Sequence, residues 1–152
     1  FYIDFTNMFH FDENPYNVVM FDNNCHYESA NIPNSFLNFY FKNRRVKPTY
    51  YTIKSYPCGV GGHHLKSWVI EGSNDNKNWE TISEENDNSY LNGKNQVHTF
   101  SINKPNSKYY QYIRIRTNRE NWFKDDKQYR LSMDSFEIYG TLLNDLKIKN
   151  NK

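Results

Sequence analysis

Along most of this chain, apolar and polar residues alternate with a period of two, in short runs separated by turn chemistry. That is the pattern of half-buried β-strands. In "SFLNFYF" (35–41), Leu37, Phe39 and Phe41 share one face, and in "PTYYTIKSY" (48–56) Tyr51 and Ile53 oppose Thr52 and Lys54. Strands are also predicted at "KSWVIEG" (66–72), "WETIS" (79–83) and "VHTFSI" (97–102). "YYQYIRIRT" (109–117) sets Ile113 and Ile115 against Arg114 and Arg116, and "RLSMDSFEIYGTL" (130–142) alternates through Phe136, Ile138 and Gly140. "FYIDF" (1–5) reads as a further strand and "PYNVVMF" (15–21) as a helical turn or short strand. Residues 1–142 are thus expected to form one β-sandwich domain. The Asn/Lys-rich stretch 143–152 is expected to leave it as a linker or tail.

Composition agrees with this class. The 152 residues include 13 Tyr, 11 Phe and 3 Trp but a single alanine, Ala30. Strands favour aromatic side chains, whereas a helical bundle would need the best helix former far more often. A net charge of +2, dispersed along the chain, argues against a nucleic-acid platform. No apolar run approaches the ~20 residues of a membrane span. The chain opens at Phe1 rather than Met and reads as a processed or excerpted piece. Cys25 and Cys58 are too few for a disulfide framework, and none of the 23 asparagines opens an Asn-X-Ser/Thr acceptor site. Both features favour a cytoplasmic protein with reduced thiols. Secretion or cell-surface display is the alternative, and Asn23-Asn24-Cys25 leaves a rare variant acceptor open.

If successive strands run antiparallel, alternate connections fall at opposite ends of the sandwich. Short connections (42–47, 73–78, 103–108) gather at one end, and long ones (22–34, 57–65, 84–96, 118–129, with 6–16) at the other. Long loops on a rigid scaffold are where binding residues tend to sit. "EGSNDNKNW" (71–79) lies at the short-loop end. Its Asn, Asp and Gly residues are explained by turn formation, without a catalytic role for Glu71 or Asp75.

"LKSWVIEGSNDNKNW", "YYQYIRIR" and "SMDSFEIYGTL", together with "IPNSFLNFYFKNRRVKPTYYTIKSY", resemble the coagulation factor 5/8 type C (discoidin) family. They are most similar to its intracellular eukaryotic branch, often abundant in protists. The resemblance spans roughly 1–142. It implies a galactose-binding-like jelly-roll β-sandwich, non-catalytic, that takes ligands on the loops at one end. Secreted members tie their termini with a disulfide, whereas both cysteines here are internal. Phe36 stands where members often carry Trp. Loop 57–65, "PCGVGGHHL", has small residues and histidines in place of the aromatic spikes of membrane-binding members, so no membrane insertion is expected.

The chemistry-bearing residues agree with a binding module. There is no nucleophile elbow, phosphate loop or His-Glu-x-x-His motif, and Asp125-Asp126 reads as solvated surface. Arg114 and Arg116 read as an outer sheet face paired across strands to Glu137 and Asp134. Cys25, Cys58, His26, His63 and His64 form a zinc-compatible set that lacks paired Cys-x2-Cys spacing. A Cys25–Cys58 disulfide is a further alternative. Neither metal nor cofactor is expected. The binding surface is placed on the long-loop end, at His10, Phe11, His26, Tyr27, His63, His64, Trp122 and Phe123, with Trp122 and Tyr27 as aromatic anchors. The expected function is to dock a protein partner within a larger intracellular protein or assembly, such as a cytoskeletal one. A lectin-like domain for a galactose-type carbohydrate is the alternative.

Overall fold

The alternation builds two facing antiparallel sheets in the computed structural model, which describes residues 2–5, 14–20 and 26–144. The elements in chain order are β1 (Tyr2–Phe5), a 3-10 helix (Pro15–Val19), β2 (Tyr27–Glu28), β3 (Phe36–Tyr40), β4 (Arg44–Lys54), β5 (Trp68–Ser73), β6 (Glu80–Glu85), β7 (Val97–Ser101), β8 (Tyr112–Thr117), β9 (Ser132–Met133) and β10 (Ser135–Asn144). One sheet has the order β1-β3-β8-β5-β6 and the other β10-β4-β7, with β2 and β9 paired at the side. The protein is an all-β sandwich, as its alternation implies, and a jelly roll, as the resemblance implies. The "PYNVV" segment resolves as the helical turn, with Asn14 capping it through its side chain to the Tyr16 amide, 2.9 Å. The last strand runs to Asn144, which pairs with Arg44, so Leu143 and Asn144 belong to the sheet and not to a tail. β2 is too short for any periodicity to announce it.

The core lies between the sheets, and large aromatics stand at its centre among Ile, Leu and Val side chains. Trp68 is fully buried and donates its indole N–H to the Tyr51 hydroxyl, 3.1 Å, across the interface. Phe100 meets both, edge-on to Trp68 and stacked on Tyr51, each at 5.2 Å, and Phe136 stacks on Phe39 at 5.1 Å. Offset and edge-to-face pairs of this kind add about 0.5–1.5 kcal/mol each beyond the area they bury. Burial forces the Tyr51 hydroxyl far above its ordinary ionisation range, so it stays protonated in the fold.

The outer face of the five-stranded sheet overturns one expectation. Arg114 and Arg116 do not pair with Glu137 and Asp134, because β10 lies in the other sheet. Their neighbour is β5, whose Glu71 faces Arg114 in register. Glu71 takes Arg114 Nε at 2.5 Å and Arg116 at 3.1 and 2.8 Å. Arg114 also stacks over Trp79, 4.0 Å to the ring centre. Glu71 is consequently 5% exposed although it points away from the core. Asp134 pairs instead with Lys54, 2.5 Å, within the second sheet.

Two glycines are fixed by close approach. Gly72 lies in the inward row, and the Tyr110 ring occupies the place of its missing side chain, 2.5 Å from where a Cβ would stand. Tyr110 is held there by its hydroxyl, bonded to Asn106 and Glu80. Gly140 sits at a bulge where a Cβ would strike the Lys47 carbonyl.

Gly72→Ala overpacks a ring that cannot swing away, and should cost about 2 kcal/mol in urea unfolding. For Glu71, burial raises the carboxyl pKa, but hydrogen bonds from Arg116 and Arg114 outweigh it and leave the group below its ordinary 4.5. Its stabilisation is therefore complete above the unfolded value and is lost as the pH falls through the lower folded one. Glu71→Ala, which strands two guanidiniums, should cost about 3 kcal/mol at neutral pH. Glu71→Gln should show a shallower loss of stability in acid than the wild type.

Candidate functional site

The long loops do converge. The Asn121 amide donates to the Gln128 carbonyl, the Trp122 amide to the His64 carbonyl, and the Tyr129 amide to the Asn31 side chain. These bonds tie loop 118–129 to loops 57–65 and 29–35. Gly61 donates to the Asn92 side chain, 2.8 Å, which adds loop 86–96. At the other end, Asn38 meets Asn76 and Asn74 meets Tyr109. Within "GSNDNKN", Asp75 accepts from the amides of Lys77 and Asn78 while Ser73 accepts from that of Asn76. Asn76 takes a left-handed conformation, φ 58°. That stretch is a turn, as its composition implies.

Trp122 and Phe123 sit at the mouth of the long-loop end, both half-buried. Trp122 is held on several sides: its indole N–H donates to the Asn88 carbonyl, 2.9 Å, and Lys66 Nζ lies 4.9 Å above its ring. Phe123 packs on His63, 4.6 Å between ring centres, and its amide donates to the buried Asn121 side chain. The two aromatics line a groove of about 560 Å³ together with Lys66, Glu120, Asp126 and Lys127. That size falls within the range of small-ligand sites.

The remaining residues expected at this surface divide by burial. His63 is partly exposed and pairs through Nδ1 with Glu28, 3.0 Å. Glu28 is itself buried and also accepts from Ser132, 3.1 Å. His26 is half-buried, edge-on to Tyr56 at 4.8 Å, and its backbone carbonyl accepts from Asn17. Tyr27 is fully buried in the core, so it is not an exposed anchor: its side chain is one of the large residues that fill the sandwich. His64 is also fully buried. Its Nε2 reaches the carbonyls of Cys58 (3.0 Å) and Gly59 (2.9 Å), so the imidazole fastens loop 57–65 from within and offers nothing to a ligand. His10, Phe11 and Cys25 lie outside the described residues. Cys58 is a free thiol, and burial raises its pKa. Among the described residues, no three His, Cys, Asp or Glu side chains gather as a metal would need.

Lys66, Glu120 and Asp126 were not anticipated at the groove. Asp126 read as a solvated charge, and only the fold brings Lys66, more than fifty residues away in sequence, over Trp122.

No family model matches the chain. Among curated proteins it is similar to the E3 ubiquitin-protein ligase Ufd4 of Drosophila melanogaster, 34% identical over 100 residues. It is also similar to the E3 ubiquitin-protein ligase hecd-1 of Caenorhabditis elegans, 29% identical over 98 residues. Each match covers 64% of this chain but 4% of the ligase, so the chain corresponds to a small part of those proteins. Among solved structures it is similar to CBM32-3 from a family 31 glycoside hydrolase of Clostridium perfringens, with TM-score 0.65 and 20% identity over 93% of this chain and 89% of that one. The lectin domain of lectinolysin, complexed with Lewis B antigen, gives TM-score 0.67 at 12% identity over 92% of both chains. A chitosan-binding module from a Paenibacillus sp. IK-5 chitosanase/glucanase, complexed with chitotriose, gives 0.65 at 12% identity, covering 91% and 95%. At these identities the likeness is one of fold, and that fold is the galactose-binding-like sandwich.

One consequence concerns His64. Burial pushes its pKa below the ordinary 6.5, against the pull of its hydrogen bonds to Gly59 and Cys58. The unfolded chain takes up this proton first, so the stability His64 contributes is present above 6.5 and declines as the pH falls towards the folded value. An NMR titration should place its midpoint below 6.5, and a midpoint at or above that value contradicts the buried, neutral imidazole.

Proposed function

We propose that this domain is a non-catalytic carbohydrate-binding module that takes a sugar in the groove beside Trp122. The observation that carries the reading is the groove itself. A partly exposed indole and Phe123 stand among carboxylates and ammonium groups, at the end of a sandwich shared with sugar-binding modules. An aromatic face suits the C–H surface of a pyranose, while Glu120 and Asp126 accept from hydroxyls and Lys66 and Lys127 donate to them. Trp122 is already held by Asn88 and His64, so little side-chain freedom is lost on binding.

A second reading is favoured by the match to the two ubiquitin ligases. Here the same end docks a protein, with Trp122 and Phe123 as anchors, inside a larger cytoplasmic protein of the intracellular factor 5/8 type C branch.

The test is a glycan array followed by calorimetry with a galactose-type sugar. Millimolar binding is expected in the wild type. Trp122→Ala should weaken it by on the order of 2 kcal/mol, about thirtyfold, while far-ultraviolet circular dichroism and the unfolding transition keep their native form. An array without hits, together with a protein recovered by pull-down in a Trp122-dependent manner, would favour docking over sugar binding.

A further inference from the structure

A second concave surface lies at the opposite end, on the outer face of the five-stranded sheet. Tyr2, Tyr40 and Tyr112 stand in one row across β1, β3 and β8, since Tyr2 pairs with Tyr40 and Tyr40 with Tyr112. The Tyr40 and Tyr112 rings stack 4.7 Å apart, and Tyr2 is 53% exposed. Asp4 and Asn38 form the next row, paired with each other. With Lys42 and Asn76, these side chains line a cleft of about 430 Å³.

Asn38 marks this cleft as more than a fold in the surface. It is 4% exposed, and its Nδ2 donates to Asn76 Oδ1 at 2.9 Å, which fixes the amide. Its Oδ1 is buried without a hydrogen-bond partner. Native proteins leave few buried acceptors unsatisfied without a reason. Asn38 lines the cleft, so a ligand seated there would bring an O–H or N–H to this side chain.

We propose that this cleft binds an uncharged pyranose sugar, at a site separate from the Trp122 groove. The Asn38 oxygen and the Asp4 carboxylate accept from hydroxyls, and Lys42 donates to them. Asp4 and Lys42 carry opposite charges, so a cation attracted by one is repelled by the other, and the same holds for an anion. A neutral ligand with both donors and acceptors gains from both. The rings of Tyr2 and Tyr40 supply the apolar wall against which a sugar's C–H face packs.

The experiment records amide NMR spectra of the labelled chain with methyl glucopyranoside, methyl galactopyranoside and methyl mannopyranoside in the millimolar range, and with tetramethylammonium as the cationic control. At least one glycoside is expected to shift the Asn38 and Asn76 side-chain amides and the backbone of Tyr2, Tyr40 and Tyr112. Tyr2→Ala, exposed on an edge strand and safe for the fold, should weaken that response about tenfold. Asn38→Ala should remove it, and Trp122→Ala should leave it unchanged. Shifts confined to residues 120–127 would overturn this site while supporting the groove, whereas shifts at Asn38 with a silent groove would do the reverse. Absence of any response at Asn38, its undiminished strength in Tyr2→Ala, or a larger response to tetramethylammonium than to every glycoside would overturn the proposal.

Discussion

The contact on which this molecule depends is the one between Trp68 and Tyr51. Each sheet contributes one large aromatic, and the indole N–H finds the phenol oxygen between the sheets. A buried N–H without a partner would cost about 1–3 kcal/mol, so the two sheets are registered at this point by chemistry as well as by shape. Phe100 and Phe136 then pack around the pair, and Phe39 closes the layer from the five-stranded sheet. Ile and Leu side chains such as Ile53, Ile70, Ile113 and Leu37 fill the space around these rings. Once the sheets are registered, the ends of the strands are fixed, and with them the positions of both clefts.

The outer face is held differently. Glu71 sits between two guanidiniums, one of which also covers Trp79, so a charged row is withdrawn from water and ties β5 to β8. The neighbouring residues of "WVIEGSND" have equally local reasons. Trp68 registers the sheets, Gly72 makes room for Tyr110, and Ser73 with Asp75 closes the turn. The most recognisable stretch of the chain is therefore scaffold.

At the long-loop end, buried polar groups act as fasteners for the loops. His64 holds loop 57–65 through two carbonyls, Glu28 holds His63, and Asn121 holds the start of "NWF". Each fixes backbone next to Trp122 or Phe123. The short-loop cleft is preorganised by other means, since its walls are strand residues and its amide is oriented by Asn76.

How much could be read from the chain follows from the range of the forces involved. Alternation is local, and it assigned Tyr51 and Ile53, Leu37 and Phe39, and Ile113 and Ile115 to the interior correctly, because a strand has only two faces. Turn chemistry is local as well, so "GSNDNKN" was legible, and so was the convergence of the long loops, which needs only the alternation of strand directions. Which strands become neighbours is a non-local matter. Arg114 and Arg116 could have faced any carboxylate on an adjacent strand, and only the sheet order chose Glu71 over Glu137 and Asp134. The same limit hid the burial of Tyr27 and His64, two polar-tipped side chains in loop-like sequence that tertiary packing drew inside. It also hid the row of Tyr2, Tyr40 and Tyr112. Cross-strand register brings together residues far apart in the chain, and no single segment carries that information.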